Sequence, residues 1–468
     1  MSYKNNLLIF RYRKIFHSKK EQNSVNLKTH IRETVKLALP ISTGQLGHIM
    51  LGVVDSLMVG RVGSAPLAAS SLVNGIFFLV LVIGIGLSMA STPLIAMAKG
   101  ANKFDECGRI LNHSIVVNVS FAVVISAFAF ALSFLIPFLN QPKDVADQAV
   151  PYLMVLSGSV LPFIIFQSYR QFLEGLSKPN APMVIAILAN FLNAFLNWIF
   201  IFGKFGIPAL GLTGAGIATT ITRWVMALAL MLYTLNYKAV KIYKPQLKFT
   251  GLNFSLIKKI INIGLPSGFQ YFLEVGAFSF AAIMMGWLGK IPLAAHQIAM
   301  NLASVTYMII LGISSAGTIR VGIASGERSI TEVRKAGFTA MGLAVSVMFC
   351  FGVTFILFRN FFPTLYIGER HVIELASQLL IVAALFQIFD GLQASSISVL
   401  RGLTDTKIPA LISFASYWLI GIPIAVLLGF YFSLGAVGVW IGLLISLASL
   451  GSMMLARFNI KSKQLASI

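Results

Sequence analysis

Apolar residues run along this chain in stretches of about twenty, each closed by a cluster of Gly, Pro or charge, and about twenty apolar residues is what an α-helix needs to cross a bilayer. Read this way, the pattern predicts spans at 37–59, 68–97, 111–137, 148–168, 182–202 and 212–235, then at 262–286, 294–322, 337–358, 375–398, 409–430 and 435–456. The expected fold class is an all-α polytopic membrane protein with twelve transmembrane helices. Polar stretches divide it into a basic tail (1–36), a six-helix lobe (37–235), a linker (236–261), a second six-helix lobe (262–456) and a short tail (457–468).

The two sets of six are copies. Residues 37–75, LALPISTGQLGHIMLGVVDSLMVGRVGSAPLAASSLVNG, align without gaps on 263–301, so Leu39-Pro40 falls on Leu265-Pro266 and Pro66-Leu67-Ala68-Ala69 on Pro292-Leu293-Ala294-Ala295. Further along, Gly86-Leu87-Ser88 matches Gly312-Ile313-Ser314, and Glu174-Gly175-Leu176-Ser177 matches Arg401-Gly402-Leu403-Thr404. Six spans is an even number, so both copies enter the membrane in the same sense and are expected as two lobes about an axis along the membrane normal, with a cleft between them. That architecture favours a transporter over a channel or an enzyme.

Composition agrees. With 57% hydrophobic and 11% charged residues and a mean hydropathy of +0.85, the chain has more apolar surface than one soluble core can bury. Its net charge of +21 would suggest nucleic acid in a soluble protein, but the basic residues sit in short loops and set topology instead. With the amino terminus inside, inner loops and tails hold 28 of the 36 Lys and Arg, and outer loops hold six: Arg61, Lys143, Lys204, Lys290, Arg359 and Arg370. Both termini are therefore expected to be cytoplasmic. Arg11, Arg13, Lys14, Lys19 and Lys20 read as a topogenic tail, with contact to anionic lipid headgroups the other use open to them. Cys107 and Cys350 form no disulfide framework and no metal spacing.

Against this background three of the fifteen acids stand inside spans: Asp55, Glu274 and Asp390. A carboxylate at bilayer depth costs about 2.5–3.5 kcal/mol on insertion scales, so such residues usually face a cavity or a partner and mark an ion path. Glu274 lies about twelve residues from the inner end of span 7 and Asp390 about fifteen from the outer end of span 10, so at about 1.5 Å per residue both reach the midplane. They are expected to share one cation site, with carboxyls less than about 10 Å apart. The bland reading is a pair of neutral acids acting as hydrogen-bonded glue. Asp55, in the last turns of span 1, opposes the negative end of the helix dipole; its bland reading is contact with outer water near Arg61. Asn190, Asn193 and Asn197 share one face of span 5, and Gln297 and Asn301 one face of span 8; both sets are read as cavity lining or interhelical packing. His296 reads equally as a capped histidine or a proton carrier.

Taken together, ALPISTGQLGHIMLGVVDSLMVGRVG, NFLNAFLNWIFIFG, GLPSGFQYFLEVGAFSFAAIMMGWLG and FQIFDGLQASSISVLRGLTDT resemble, in order and over about residues 33–456, the multidrug and toxic compound extrusion (MATE) transporters, specifically their NorM-like bacterial branch. The resemblance implies cation binding and coupling at Asp55, Glu274 and Asp390, and a first-lobe site of Asp55 with Asn190, Asn193 and Asn197. It implies a cation-coupled antiporter exporting organic cations and drugs by alternating access, with no cofactor beyond Na⁺ or H⁺. If the ion is sodium, Glu274 and Asp390 are its expected ligands. Cationic small molecules and lipids are the expected partners, nucleic acid is not, and a monomer is expected. The alternatives are a flippase for lipid-linked precursors, for which cavity basic residues would be expected, or export of an endogenous metabolite. No GxxxxGK[ST] loop cradles a nucleotide and no nucleophile, base and acid cluster at one depth, so an enzyme is not expected.

Overall fold

The structure, a computed structural model, describes residues 27–245 and 251–464. Among these residues every regular element is helical. Eleven helices are long and apolar enough to cross a membrane, and a twelfth crossing is a pair, Lys143–Ser157 and Val160–Gly175, bent by 42°. In order the spans are Leu27–Gly60, Ser64–Gly100, Phe104–Ser133, that bent pair, Asn180–Phe202, Gly211–Asn236, Phe254–Leu288, Lys290–Gly326, Ile330–Leu357, Arg370–Gly402, Lys407–Tyr431 and Gly435–Gln464. The expected tail at 1–36 is thus helical from Leu27, its earlier basic residues lying outside the described chain. In the linker, Lys238–Lys241 forms one helical turn, and Lys248 lies outside the described residues.

Proline sets the breaks. Lacking an N–H, Pro93 leaves the carbonyl of Met89 without its helical donor, where span 2 interrupts between Ser88 and Ser91. Pro162 does the same to Gly158, at the bend of span 4. Pro423 frees Leu419 in span 11, which runs as π-helix over Ala415–Gly421 and Leu427–Tyr431.

Turns repeat as faithfully as helices do. Asn102 and its mate Arg328 are left-handed, with φ of 59° and 57°, as are Ser177 and Thr404, both at 59°. Each follows a helix whose end is closed by the same bond type: Lys103 N to Ala98 O at 2.9 Å, Ser329 N to Ala324 O at 3.0 Å, Lys178 N to Leu173 O at 2.8 Å and Asp405 N to Leu400 O at 3.0 Å.

Each half has its own buried apolar core, one around Phe166, Phe172 and Tyr169 in the first half and one around Trp440, Phe386 and Tyr417 in the second. The starts of spans 1 and 7 cross over. Ala38 packs with Ile310, Ile313 and Met348 of the second half, while Ile260 and Ile263 pack with Leu87 and Leu111 of the first. Arg320 on span 8 fastens the start of span 1, donating to His30 O at 2.9 Å and Thr34 Oγ1 at 2.7 Å.

Where the halves meet, backbones touch. A Cβ on Gly100 would fall 2.1 Å from Ile323 O, and one on its mate Gly326 2.1 Å from Met97 O; Gly86 meets Gly268 Cα at 2.3 Å, and Gly312 meets Ser42 N at 2.6 Å. All these residues lie in the parts of spans 1, 2, 7 and 8 nearest the end of the molecule that carries Leu27 and Gln464. Toward the other end Gly52, Gly75 and Gly286 have nothing within 4 Å. The close packing between halves therefore sits at the terminal end. A bulky side chain there is expected to force it apart, since overpacking costs about 1–3 kcal/mol, enough for a roughly tenfold shift in a two-state equilibrium. In a protein with Cys107 and Cys350 replaced and a cysteine substituted for Ser42, Gly100→Leu or Gly326→Leu should raise maleimide labelling severalfold. Unchanged labelling would mean that the seam does not separate.

Candidate functional site

Span 7 leaves the seam at Gly268 and enters the second half, which brings Glu274 beside spans 8 and 10. Burial is nearly complete, 7% exposure for Glu274 and 4% for Asp390. Glu274 Oε1 accepts hydrogen bonds from Tyr307 Oη at 3.1 Å and Gln393 Nε2 at 3.3 Å. The same Gln393 nitrogen donates to Asp390 Oδ1 at 3.2 Å. One amide thus bridges the two acids, whose oxygens lie within two hydrogen-bond lengths of each other, inside the expected separation.

Two carboxylates so close in a dry site cannot both stay charged without a proton or cation to balance them. The oxygens are suited to either. Gln393 Oε1 is buried with no hydrogen-bond partner, and with the second oxygens of Glu274 and Asp390 it offers hard donors of the kind that suit an alkali cation rather than a thiophilic metal.

In the first half Asp55 is also buried, at 7% exposure, rather than open to water. Asn197 Nδ2 donates to its Oδ1 at 2.6 Å and Thr219 Oγ1 to its Oδ2 at 2.9 Å. Asn193 completes the group, accepting from Asn197 Nδ2 at 3.1 Å and donating to Thr219 Oγ1 at 3.4 Å. The asparagine ladder divides at this point: Asn190 faces backbone, donating to Gly47 O and Ala186 O, both at 2.9 Å, and so joins span 5 to span 1.

Gln297 and Asn301 are not brought to either acid. Both are exposed, and Gln297 Nε2 donates to Asn301 Oδ1 at 3.2 Å. His296 is buried and accepts from Trp440 Nε1 at 3.2 Å on Nδ1. Sequence reading missed Tyr307, Gln393 and Thr219. Gln393 had one signal, its place three residues after Asp390 on the same helix face. It also placed Arg170, Glu174 and Arg401 at span ends or in loops. All three are buried in helices, and Arg170 Nε meets Glu174 Oε1 at 2.6 Å.

A duplicated set of membrane-crossing helices, with a bridged pair of acids in one half and a single caged acid in the other, defines the class as a helical membrane transporter fold. The chain belongs to the MatE family, on its NorM-like bacterial branch: the MatE family model matches residues 40–199 and 266–427. The probable multidrug resistance protein NorM of Mesorhizobium japonicum is 34% identical over 440 residues, covering 92% of this chain and 94% of the relative. The multidrug resistance protein MdtK of Yersinia pseudotuberculosis is 33% identical, covering 92% and 96%. Among solved structures, the eukaryotic MATE transporter AtDTX14 matches with a TM-score of 0.85 at 22% identity over 94% of this chain and 98% of that one. A MATE transporter in the straight conformation matches at 0.86 and 21% identity, over 96% and 100%. At such identities these two speak for the fold alone.

Proposed function

We propose that this protein is a cation-coupled antiporter that exchanges inward-moving Na⁺ or H⁺ for outward-moving organic cations across a bacterial inner membrane. The observation that supports this most directly is the Glu274–Gln393–Asp390 bridge, a buried pair of acids that asks for a balancing cation. On this reading both termini are cytoplasmic, the glycine seam closes the cytoplasmic side, and residues 37–235 and 262–456 act as two lobes that rock about it. The relatives named for multidrug resistance support organic cations as the cargo, and the acidic character of the buried sites fits them better than a pyrophosphate-linked lipid. A cation moving down the membrane potential gains about 2.3 kcal/mol per 100 mV per charge, so one ion supports a useful drug gradient.

Drug efflux from inverted vesicles under an imposed sodium gradient, then under a pH gradient, tests the reading; efflux indifferent to both would refute it. The same assay separates the two acid sites. Asp55 shares no hydrogen-bonding partner with Glu274, so Asp55→Asn and Glu274→Gln should each lower gradient-driven efflux, and their effects on drug affinity should add, as expected for distant sites. Asp390→Asn combined with Glu274→Gln should instead cost little more than either change alone. Additivity in both pairs would separate Glu274 from Asp390.

A further inference from the structure

Among the described residues six Asp, Glu, Lys or Arg side chains are fully buried: Asp55, Arg170, Glu174, Glu274, Asp390 and Arg401. Five have a polar partner described above. Arg401 is met only by Tyr271: at 5% exposure its guanidinium lies 5.6 Å from that ring's centroid and within hydrogen-bonding reach of its hydroxyl, while Nε and Nη2 are buried with no hydrogen-bond partner. Leaving a charged donor buried and unmet costs more than about 1–3 kcal/mol. A group held at that penalty in one conformation calls for a partner in another.

The helix geometry shows which partner. Tyr271 lies one turn before Glu274 on the same face of span 7. Arg401 follows Asp390 by eleven residues, close to three whole turns, and so falls on the same face of span 10. Long side chains on a helix lean toward its N-terminus, here toward Gln393 and Asp390. The guanidinium thus approaches the acid pair from the terminal end, and it lies within electrostatic reach of Glu274.

The first half is arranged differently. Glu174, the repeat mate of Arg401, is closed in an ion pair with Arg170. Asp55 has the half-buried Arg223 within electrostatic reach, its guanidinium bonded to Ser159 Oγ at 2.6 Å and resting on the Phe163 ring at 4.9 Å. Its buried charges balance. In the second half two carboxylates face one guanidinium, leaving a single net negative charge for a monovalent cation to cancel.

We propose that Arg401 is the internal counter-charge of the Glu274/Asp390 site, a positioning residue that competes with the coupling cation and swings to the carboxylates when that cation leaves. This rests on the cation-site reading above and adds to it the group that holds the emptied site. It also sets the site's affinity low enough for release, because a unit charge several ångströms away at an effective dielectric near 20 shifts cation binding by about tenfold or more.

The test uses the full-length protein in detergent, titrated with Na⁺ and followed by tryptophan fluorescence; Trp418, whose Nε1 donates to Leu273 O at 3.2 Å, reports from beside Glu274. If Na⁺ leaves wild-type fluorescence unchanged, the same proteins are titrated with acid in sodium-free buffer. Arg401→Gln should bind the cation at least about tenfold more tightly, and Arg401→Lys should stay within about threefold of wild type. In an Asp390→Asn background, where one carboxylate of the site is already lost, Arg401→Gln should still tighten binding about tenfold relative to Asp390→Asn alone, a charge effect that a packing role on Tyr271 would not give. Wild-type or weaker affinity in Arg401→Gln, or no tightening in the Asp390→Asn background, would overturn the proposal. Glu274→Gln is run beside them: if it binds the cation normally, the cation-site reading itself fails; if it loses binding while Arg401→Gln is unchanged, only the role of Arg401 fails.

Discussion

In Glu274→Gln, drug efflux is expected to lose its response to an imposed cation gradient, falling about tenfold or more toward the passive rate, while the protein folds and still binds drug. The amide keeps an oxygen to accept from Tyr307 Oη, so the hydrogen bond to span 8 survives. What it cannot do is balance a cation or release a proton. A ligand shifts the inward and outward states only by the difference in its affinity for them, so a cation that no longer binds one state more tightly no longer drives exchange. Removing a buried charge costs no stability and can add some, so detergent melting should be unchanged or slightly higher. Efflux from inverted vesicles, with and without the gradient, for wild type, Glu274→Gln, Asp390→Asn and the double variant checks this. Full gradient-driven efflux by Glu274→Gln would leave this acid as structural glue.

Glu274 and Asp390 were legible because a charge inside an apolar run is conspicuous and helix rise converts residue count into depth. Their bridge was not. Gln393 is neutral and Tyr307 is amphipathic, so neither disturbs the apolar pattern that located the spans, and only the packing of spans 7, 8 and 10 brings them to one carboxylate oxygen. The division of the asparagine ladder was hidden for a similar reason: spacing puts Asn190, Asn193 and Asn197 on one face, but only the packing of span 1 against span 5 sets Asn190 beside the Gly47 carbonyl and Asn197 beside Asp55. Charged residues near span ends misled in the other direction. Arg170, Glu174 and Arg401 read as loop or boundary residues because charge ends an apolar run, yet the helices continue and the neighbouring spans cover them. The repeat, by contrast, was visible down to its turns: Ser177 and Thr404, aligned by sequence, share φ and closing bond.

That covered pair gives the second large effect. Arg170→Met is expected to destabilise the protein by about 3–5 kcal/mol, because it leaves the Glu174 carboxylate buried without its partner. The two side chains are 5% and 4% exposed and meet at 2.6 Å one helical turn apart, so water cannot replace the lost charge. Arg170 Nη1 also donates to Gln45 Oε1 at 3.2 Å, which ties span 4 to span 1, and that acceptor is left unmet as well. Removing both charges should behave differently. In Arg170→Met/Glu174→Leu no charge remains to be desolvated, and apolar replacement of a buried pair is often neutral or stabilising by about 1–4 kcal/mol, so most of the loss should be recovered despite the unmet Gln45. Glu174→Gln should fall between, since the amide still accepts from Arg170 while the guanidinium loses its counter-charge. Thermal unfolding in detergent, followed by tryptophan fluorescence on matched preparations, orders the variants: the double variant above Glu174→Gln, and Arg170→Met lowest. If Arg170→Met melts with wild type, the pair contributes no net stability and the first half does not hold its charges closed, which would also remove the contrast with the lone guanidinium at Arg401.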